Sequence, residues 1–137
     1  MKPKVYFQKS LTYLDMATKP AKKLEDPKKL LNLAKTDMQK ARELTPNNVK
    51  LSEEYAPYFF YMGEIYWNLD YIGMAKTEYK LAISQKPDYA EAYASLGKLF
   101  FQIKDKDNTK INLKKSLELN PNQPDLQKIL ETFPDSR

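Results

Sequence analysis

Apolar residues recur along this chain at the spacing of amphipathic helices, and in two stretches the whole pattern repeats after 34 residues. Phe59, Gly63 and Tyr66 stand at i, i+4 and i+7, and so do Tyr93, Gly97 and Phe100. That spacing puts side chains on one face of a helix. A second helix in each stretch carries the stripe Ala75, Tyr79 and Ala82, matched by Thr109, Leu113 and Ser116. Other pairs keep the same phase: Ala56 with Ala90, Met62 with Leu96, Trp67 with Phe101 and Pro87 with Pro121. The two prolines close their stretches because proline cannot continue a helix. No run alternates with the period of two that a half-buried strand needs. The pattern predicts stacked helical hairpins, since one hairpin alone cannot bury its apolar face.

Two of the three glycines fall at the same phase of the first helix. A mid-helix glycine costs about 1 kcal/mol relative to alanine. Gly63 and Gly97 are therefore expected to be places where a second helix packs too closely for a side chain.

The N-terminal half is a weaker copy. Pro46 lies 41 residues before Pro87, one period plus seven. Counting back from it puts Ala34, Met38 and Ala41 on the stripe of a second helix over 27–45, opened by Asp26-Pro27 as cap and first-turn proline. Its partner is a helix over 4–17 with the stripe Phe7, Leu11 and Leu14. The link 18–26 is longer than a regular repeat allows. The seven extra residues are assigned to 47–55, as a loop or as an early start to the next helix. Pro57 argues for a helix start near 56. Pro124 opens a final pattern with Leu126, Ile129, Leu130 and Phe133, expected to cap the last hairpin over 124–133.

These positions resemble the tetratricopeptide repeat. That family favours a bulky residue at position 4, a leucine-like one at 7, glycine or alanine at 8, an aromatic at 11, alanine at 20, an aromatic at 24, alanine at 27 and proline at 32. Residues 56–89 fit with Phe59, Met62, Gly63, Tyr66, Ala75, Tyr79, Ala82 and Pro87. Residues 90–123 fit with Tyr93, Leu96, Gly97, Phe100, Leu113 and Pro121, and depart at Thr109 and Ser116, which are small but polar. The resemblance implies an all-α fold: an α-α superhelix, or solenoid, of about three hairpins plus a C-terminal capping helix, right-handed in its arc. It also implies one domain over 1–137, with a degenerate repeat at 4–46, repeats at 56–89 and 90–123, and the cap at 124–133.

In that family, positions 2, 5, 9, 12 and 13 of the first helix face a concave groove where partner peptides lie. Carried over, the groove is lined by Pro57, Phe60, Glu64, Trp67 and Asn68, then by Glu91, Ala94, Lys98, Phe101 and Gln102. Phe60, Trp67 and Phe101 supply apolar anchors, and Glu64 and Lys98 are expected to bring opposite charges side by side. The competing expectation buries Phe60 and Trp67 against the N-terminal hairpin. Some members hold a chaperone's C-terminal carboxylate with a clamp of lysine, arginine and asparagine. Here the corresponding positions are Phe60, Tyr61, Glu64, Glu91 and Ser95, so neither clear unit carries that clamp.

Composition narrows the chemistry. With no histidine and no cysteine among 137 residues, the commonest general base, the thiol nucleophile and most transition-metal ligands are missing. Gly63 and Gly73 lack phosphate-loop spacing, and Glu53-Glu54 reads as a solvated pair. The expectation is a non-catalytic protein with no cofactor, no metal site and no small-molecule substrate. Net charge is +5 but uneven. Residues 1–50 hold 12 Lys/Arg and 5 Asp/Glu, giving +7, and the remainder holds 11 and 13, giving −2. Lys28, Lys35 and Arg42 form one stripe, readable as a footprint for an acidic partner or nucleic acid or as a solvated face. No aromatic stacking partners accompany it, so nucleic acid is the weaker reading.

No 18-residue apolar run predicts a membrane span, and the first 15 residues, interrupted by Lys2, Lys4 and Lys9, show no leader pattern. A cytoplasmic location follows, or a periplasmic or exported one if a leader has been removed. The lysine-rich, histidine-free composition suggests a bacterial source. The sequence thus points to a scaffold or adaptor binding a peptide with apolar anchors in its concave groove. The alternatives are a chaperone-like protein for a secreted or membrane client, and a self-associating structural protein.

Overall fold

A computed structural model describes residues 2–19, 26–45 and 53–133. Among these residues seven α-helices run in order: α1 (Pro3–Thr18), α2 (Pro27–Leu44), α3 (Ala56–Asn68), α4 (Ile72–Gln85), α5 (Ala90–Gln102), α6 (Lys106–Leu119) and α7 (Pro124–Glu131). No strand occurs among the described residues. Proline occupies the first turn of α1, α2, α3 and α7, where its missing N–H goes unneeded. Asp26 caps α2 by accepting a hydrogen bond from the Lys28 amide at 3.1 Å. The helix expected over 27–45 is α2, and that over 4–17 is α1. Of the link 18–26, residues 20–25 lie outside the described residues. Of the segment 47–55, residues 47–52 do too, while Glu53–Tyr55 form a single 3-10 turn leading into α3. The last helix ends at Glu131 rather than 133, and its final carbonyls are taken by the Thr132 and Phe133 amides.

Each helix packs chiefly on its sequence neighbour, giving the hairpins α1–α2, α3–α4 and α5–α6, and α7 rests on α6. The turns inside the second and third hairpins are the same turn. Asp70 and Lys104, one period apart, both take the left-handed conformation, with φ of 69° and 64°. In each, the next amide reaches back to close the helix: Tyr71 N to Tyr66 O at 2.8 Å, Asp105 N to Phe100 O at 2.9 Å. This is the Schellman ending, which normally selects glycine.

The core follows the two stripes. Met62, Ile65, Ala75, Tyr79, Ala82, Leu99 and Leu113 are fully buried, as are Ala34, Met38 and Ala41 of α2. Gly63 faces the Tyr79 ring so closely that an added Cβ would lie 2.7 Å from Cε1. Gly97 faces Leu113 in the same way, with Cγ 2.8 Å from such a Cβ. The polar departures at Thr109 and Ser116 are buried and satisfied. Thr109 Oγ1 donates to the Asp105 carbonyl at 2.7 Å, and Ser116 Oγ donates across the hairpin to the Ala90 carbonyl at 2.8 Å. Ser10 repeats that device in the first hairpin, donating to the Ala34 carbonyl at 2.6 Å. A buried hydroxyl with a partner costs little, whereas an orphaned one costs about 1–3 kcal/mol.

Contacts between alternate helices mark two layers: α1 with α3, α3 with α5 and α5 with α7 in one, and α2 with α4 in the other, where α4 and α6 also line a common hollow. In the second layer Arg42 of α2 donates to both carboxylate oxygens of Glu78 on α4, at 2.9 and 3.1 Å, and its guanidinium lies 4.7 Å from the centre of the Phe59 ring. Lys35 Nζ sits 5.9 Å from the Tyr71 ring centre. Two members of the basic stripe thus serve packing between helices, and Lys28 stands exposed at the start of α2.

Candidate functional site

Between α1 and α3 the first layer opens into a groove of about 540 Å³. Gln8, Thr12, Asp15 and Thr18 line it from α1, Tyr61, Glu64 and Asn68 from α3, over a floor that includes Leu11 and Leu14. The α1 residues follow from its stripe. If Phe7, Leu11 and Leu14 occupy positions 4, 8 and 11, then Gln8, Thr12 and Asp15 occupy 5, 9 and 12. Those are the positions expected to face the groove in the two clear units, so the signal for these α1 residues is present in the sequence, obscured only by the degenerate hairpin.

Glu64 sits where three helices meet. Its Oε1 accepts hydrogen bonds from Tyr79 Oη of α4 at 2.5 Å and Ser95 Oγ of α5 at 2.8 Å. Burial, then the Glu64 charge, push the Tyr79 phenol far above the ordinary tyrosine range, so it remains a donor at any physiological pH. Tyr61 is raised as well, first by burial and then by Glu64 and Glu91. Asn68 Nδ2 donates to the Glu64 carbonyl at 2.8 Å and is held along the helix edge. Asp15 pairs with exposed Lys19 at 2.8 Å.

The remaining expected groove residues divide. Trp67 is half-buried, its ring edge-on to Tyr79, and its Nε1 donates to Gln102 Oε1 at 2.6 Å, tying α3 to α5. Lys98 pairs with Asp125 of α7 at 2.9 Å, which holds the Asp125 carboxyl below its usual range. Phe101 is exposed and meets the edge of Phe133. Glu91 is exposed in the first turn of α5. Pro57 lines a separate hollow with Phe7 and Tyr58 at the N-terminal end. Two of the ten are core rather than groove. Phe60 is 7% exposed and packs among Tyr61, Tyr79 and Tyr89. Ala94 is 8% exposed and lies in a cluster with Leu113 and Leu126. The rings around Phe60 are those of Tyr61, of Tyr79 on α4 and of Tyr89, which precedes α5, and it shares one apolar core with residues of the N-terminal hairpin. Glu64 and Lys98 do not pair side by side either, because each is engaged by a different neighbour.

Stacked antiparallel hairpins with repeated contacts define a helical-repeat solenoid. Comparison with known proteins makes this specific: the sequence profile of the tetratricopeptide repeat matches residues 56–89 and 90–123. Through these two repeats the chain belongs to the tetratricopeptide repeat family, whose members are generally non-catalytic interaction modules. No curated protein gives a significant sequence match. Among solved structures, the chain resembles MamA with a TM-score of 0.76 and 18% identity, over 95% of this chain and 65% of that one. The Sgt2 tetratricopeptide domain from Aspergillus fumigatus gives 0.72 at 17% identity, over 95% and 75%. The first such domain of Spaghetti (RPAP3), bound to the HSP90 peptide SRMEEVD, gives 0.64 at 20% identity, over 92% and 94%. The chain therefore spans about two thirds of the MamA chain, and at these identities the likeness is one of fold. Among the described residues no helix is long and apolar enough to cross a membrane.

Proposed function

We propose that this protein is a non-catalytic adaptor that holds a peptide segment of a partner in the groove of its α1–α3–α5 face. The observation that carries this reading is the groove between α1 and α3. It combines a partly apolar floor at Leu11 and Leu14 with a rim of hydrogen-bonding side chains at Gln8, Thr12, Tyr61 and Asn68. A few placed polar groups over an apolar floor suit an extended peptide with apolar anchors. In this reading α1–α2 acts as the degenerate first repeat over 4–46, and α7 caps the third hairpin. RPAP3 binds an acidic HSP90 peptide. The positions of a carboxylate clamp here carry Phe60, Tyr61, Glu64, Glu91 and Ser95, so the proposed occupant is a different kind of peptide. Selection of peptides from a displayed random library, followed by titration against Thr12→Arg and Asn68→Arg, tests the reading. Both residues are exposed, so the fold is expected to survive. Loss of at least tenfold in affinity for the main selected class supports the groove, and unchanged affinity in both variants overturns it.

A further inference from the structure

The opposite face carries a second hollow, of about 480 Å³, where α4 and α6 flank α5. Leu96 and Phe100 of α5 form its buried floor, and Ile83 of α4 and Ile111 of α6 its apolar walls. Ile111 is 64% exposed, the most exposed of the large apolar side chains among the described residues. An aliphatic side chain so placed beside an apolar hollow marks an interaction surface rather than a scattered surface residue.

The charge of this hollow is one-sided. Lys76 and Lys80 stand one turn apart on α4 along its wall, with Lys76 Nζ 6.0 Å from the Phe100 ring centre. Among the described residues neither forms an ion pair. Among the described residues Asp105 is the one carboxylate lining the hollow, and it caps α6, accepting from Asn108 N at 3.2 Å and Asn108 Nδ2 at 2.8 Å. The Asn108 hydrogen bonds, and to a lesser degree the nearby Lys76 charge, hold its carboxyl below the usual range, and it is directed mainly to the helix N-terminus, where an anion is favoured.

We propose that this hollow is a second docking site, taking an acidic amphipathic helix of a partner protein whose apolar residues pack beside Ile111 and whose carboxylates pair with Lys76 and Lys80. A helix laid between α4 and α6 can present carboxylates at the i, i+4 spacing that the two lysines already have. Apolar floor and unpaired cations together fit such a segment better than a neutral or basic one. The site is independent of the α1–α3 groove, so the chain can bridge two partners.

Peptides selected from the same displayed library against the full chain test this. One class is expected to be rich in Asp and Glu beside Leu, Ile or Phe. Its binding should fall at least tenfold with Ile111→Glu and with Lys76→Glu/Lys80→Glu, weaken with added salt, and be unchanged by Asn68→Arg. Circular dichroism of the variants checks that the fold is intact. The proposal is overturned if no selected peptide is sensitive to Ile111→Glu, or if the sensitive ones are neutral or basic. It is equally overturned if sedimentation shows a dimer that Ile111→Glu dissolves, since a second copy then covers the face. Binding to phosphatidylserine vesicles that requires Lys76 and Lys80, with no acidic peptide selected, also overturns it.

Discussion

Gly63 and Gly97 differ from Gly73 in what a methyl group would meet. At Gly63 it meets the Tyr79 ring, itself fully buried and pinned by Glu64, and at Gly97 it meets Leu113. Overpacking costs about 1–3 kcal/mol, more than the gain of about 1 kcal/mol in helix propensity. Gly63→Ala and Gly97→Ala are therefore expected to lower stability in urea denaturation. Among the described residues nothing lies within 4 Å of such a group at Gly73, and Gly73→Ala is expected to leave stability unchanged or raise it by up to about 1 kcal/mol. The glycine phase in the sequence carried this distinction between two tight contacts and one open position. The left-handed turn residues were not legible, because Asp70 and Lys104 stand where the ending favours glycine. A lysine there pays conformational strain of about 1–2 kcal/mol. Lys104→Gly is expected to raise the unfolding free energy by about 1 kcal/mol, and denaturation of that single variant checks it.

At the scale of helices, the joint between α2 and α4 rests on a charge pair in a half-buried place. Glu78 is raised above its ordinary value, 4.5, because burial outweighs the opposing effect of Arg42. Its neutral form is thus favoured by the fold. The stability it contributes is full below pH 4.5 and is lost as pH rises through the folded value. Arg42→Ala leaves the Glu78 carboxylate without its partner and is expected to cost about 1–3 kcal/mol at pH 7. That deficit should shrink as pH falls toward and below 4.5, where Glu78 is neutral with or without Arg42, leaving only the packing lost from the Phe59 ring. Chemical denaturation of both proteins at a series of pH values from about 4 to about 7 measures this, and a deficit constant with pH contradicts it. Arg42 also shows why a charge stripe is a weak sign of a ligand. Its spacing with Lys28 and Lys35 was visible in the sequence, whereas Glu78, 36 residues on, was not marked as its partner. Helix starts are legible in the sequence wherever proline or an Asp cap fixes them, as at Asp26-Pro27 and Pro124. The apolar pattern runs two residues past the end of α7, because Phe133 continues it after the helix has stopped.

For the molecule as a whole, the two-layer stack was legible from periodicity, and the groove only in part. Phe60 and Ala94 stand at groove positions, yet the neighbouring aromatic side chains and α7 enclose them, and that closure depends on contacts no single helix encodes. Conversely, Gln8, Thr12 and Asp15 line the groove from a hairpin whose irregular link hid its register. The proposed peptide site lies on the α1–α3–α5 face. Trp67 is the single tryptophan of the chain and bonds Gln102 across α3 and α5 on that face, so its indole N–H resonance is the most direct reporter. Titration with a library-selected peptide is expected to shift the Trp67 indole signal and the Asn68 side-chain amide together, saturating at the same concentration, and Thr12→Arg should abolish both shifts. A peptide that saturates the protein while leaving Trp67 and Asn68 unmoved would contradict the account.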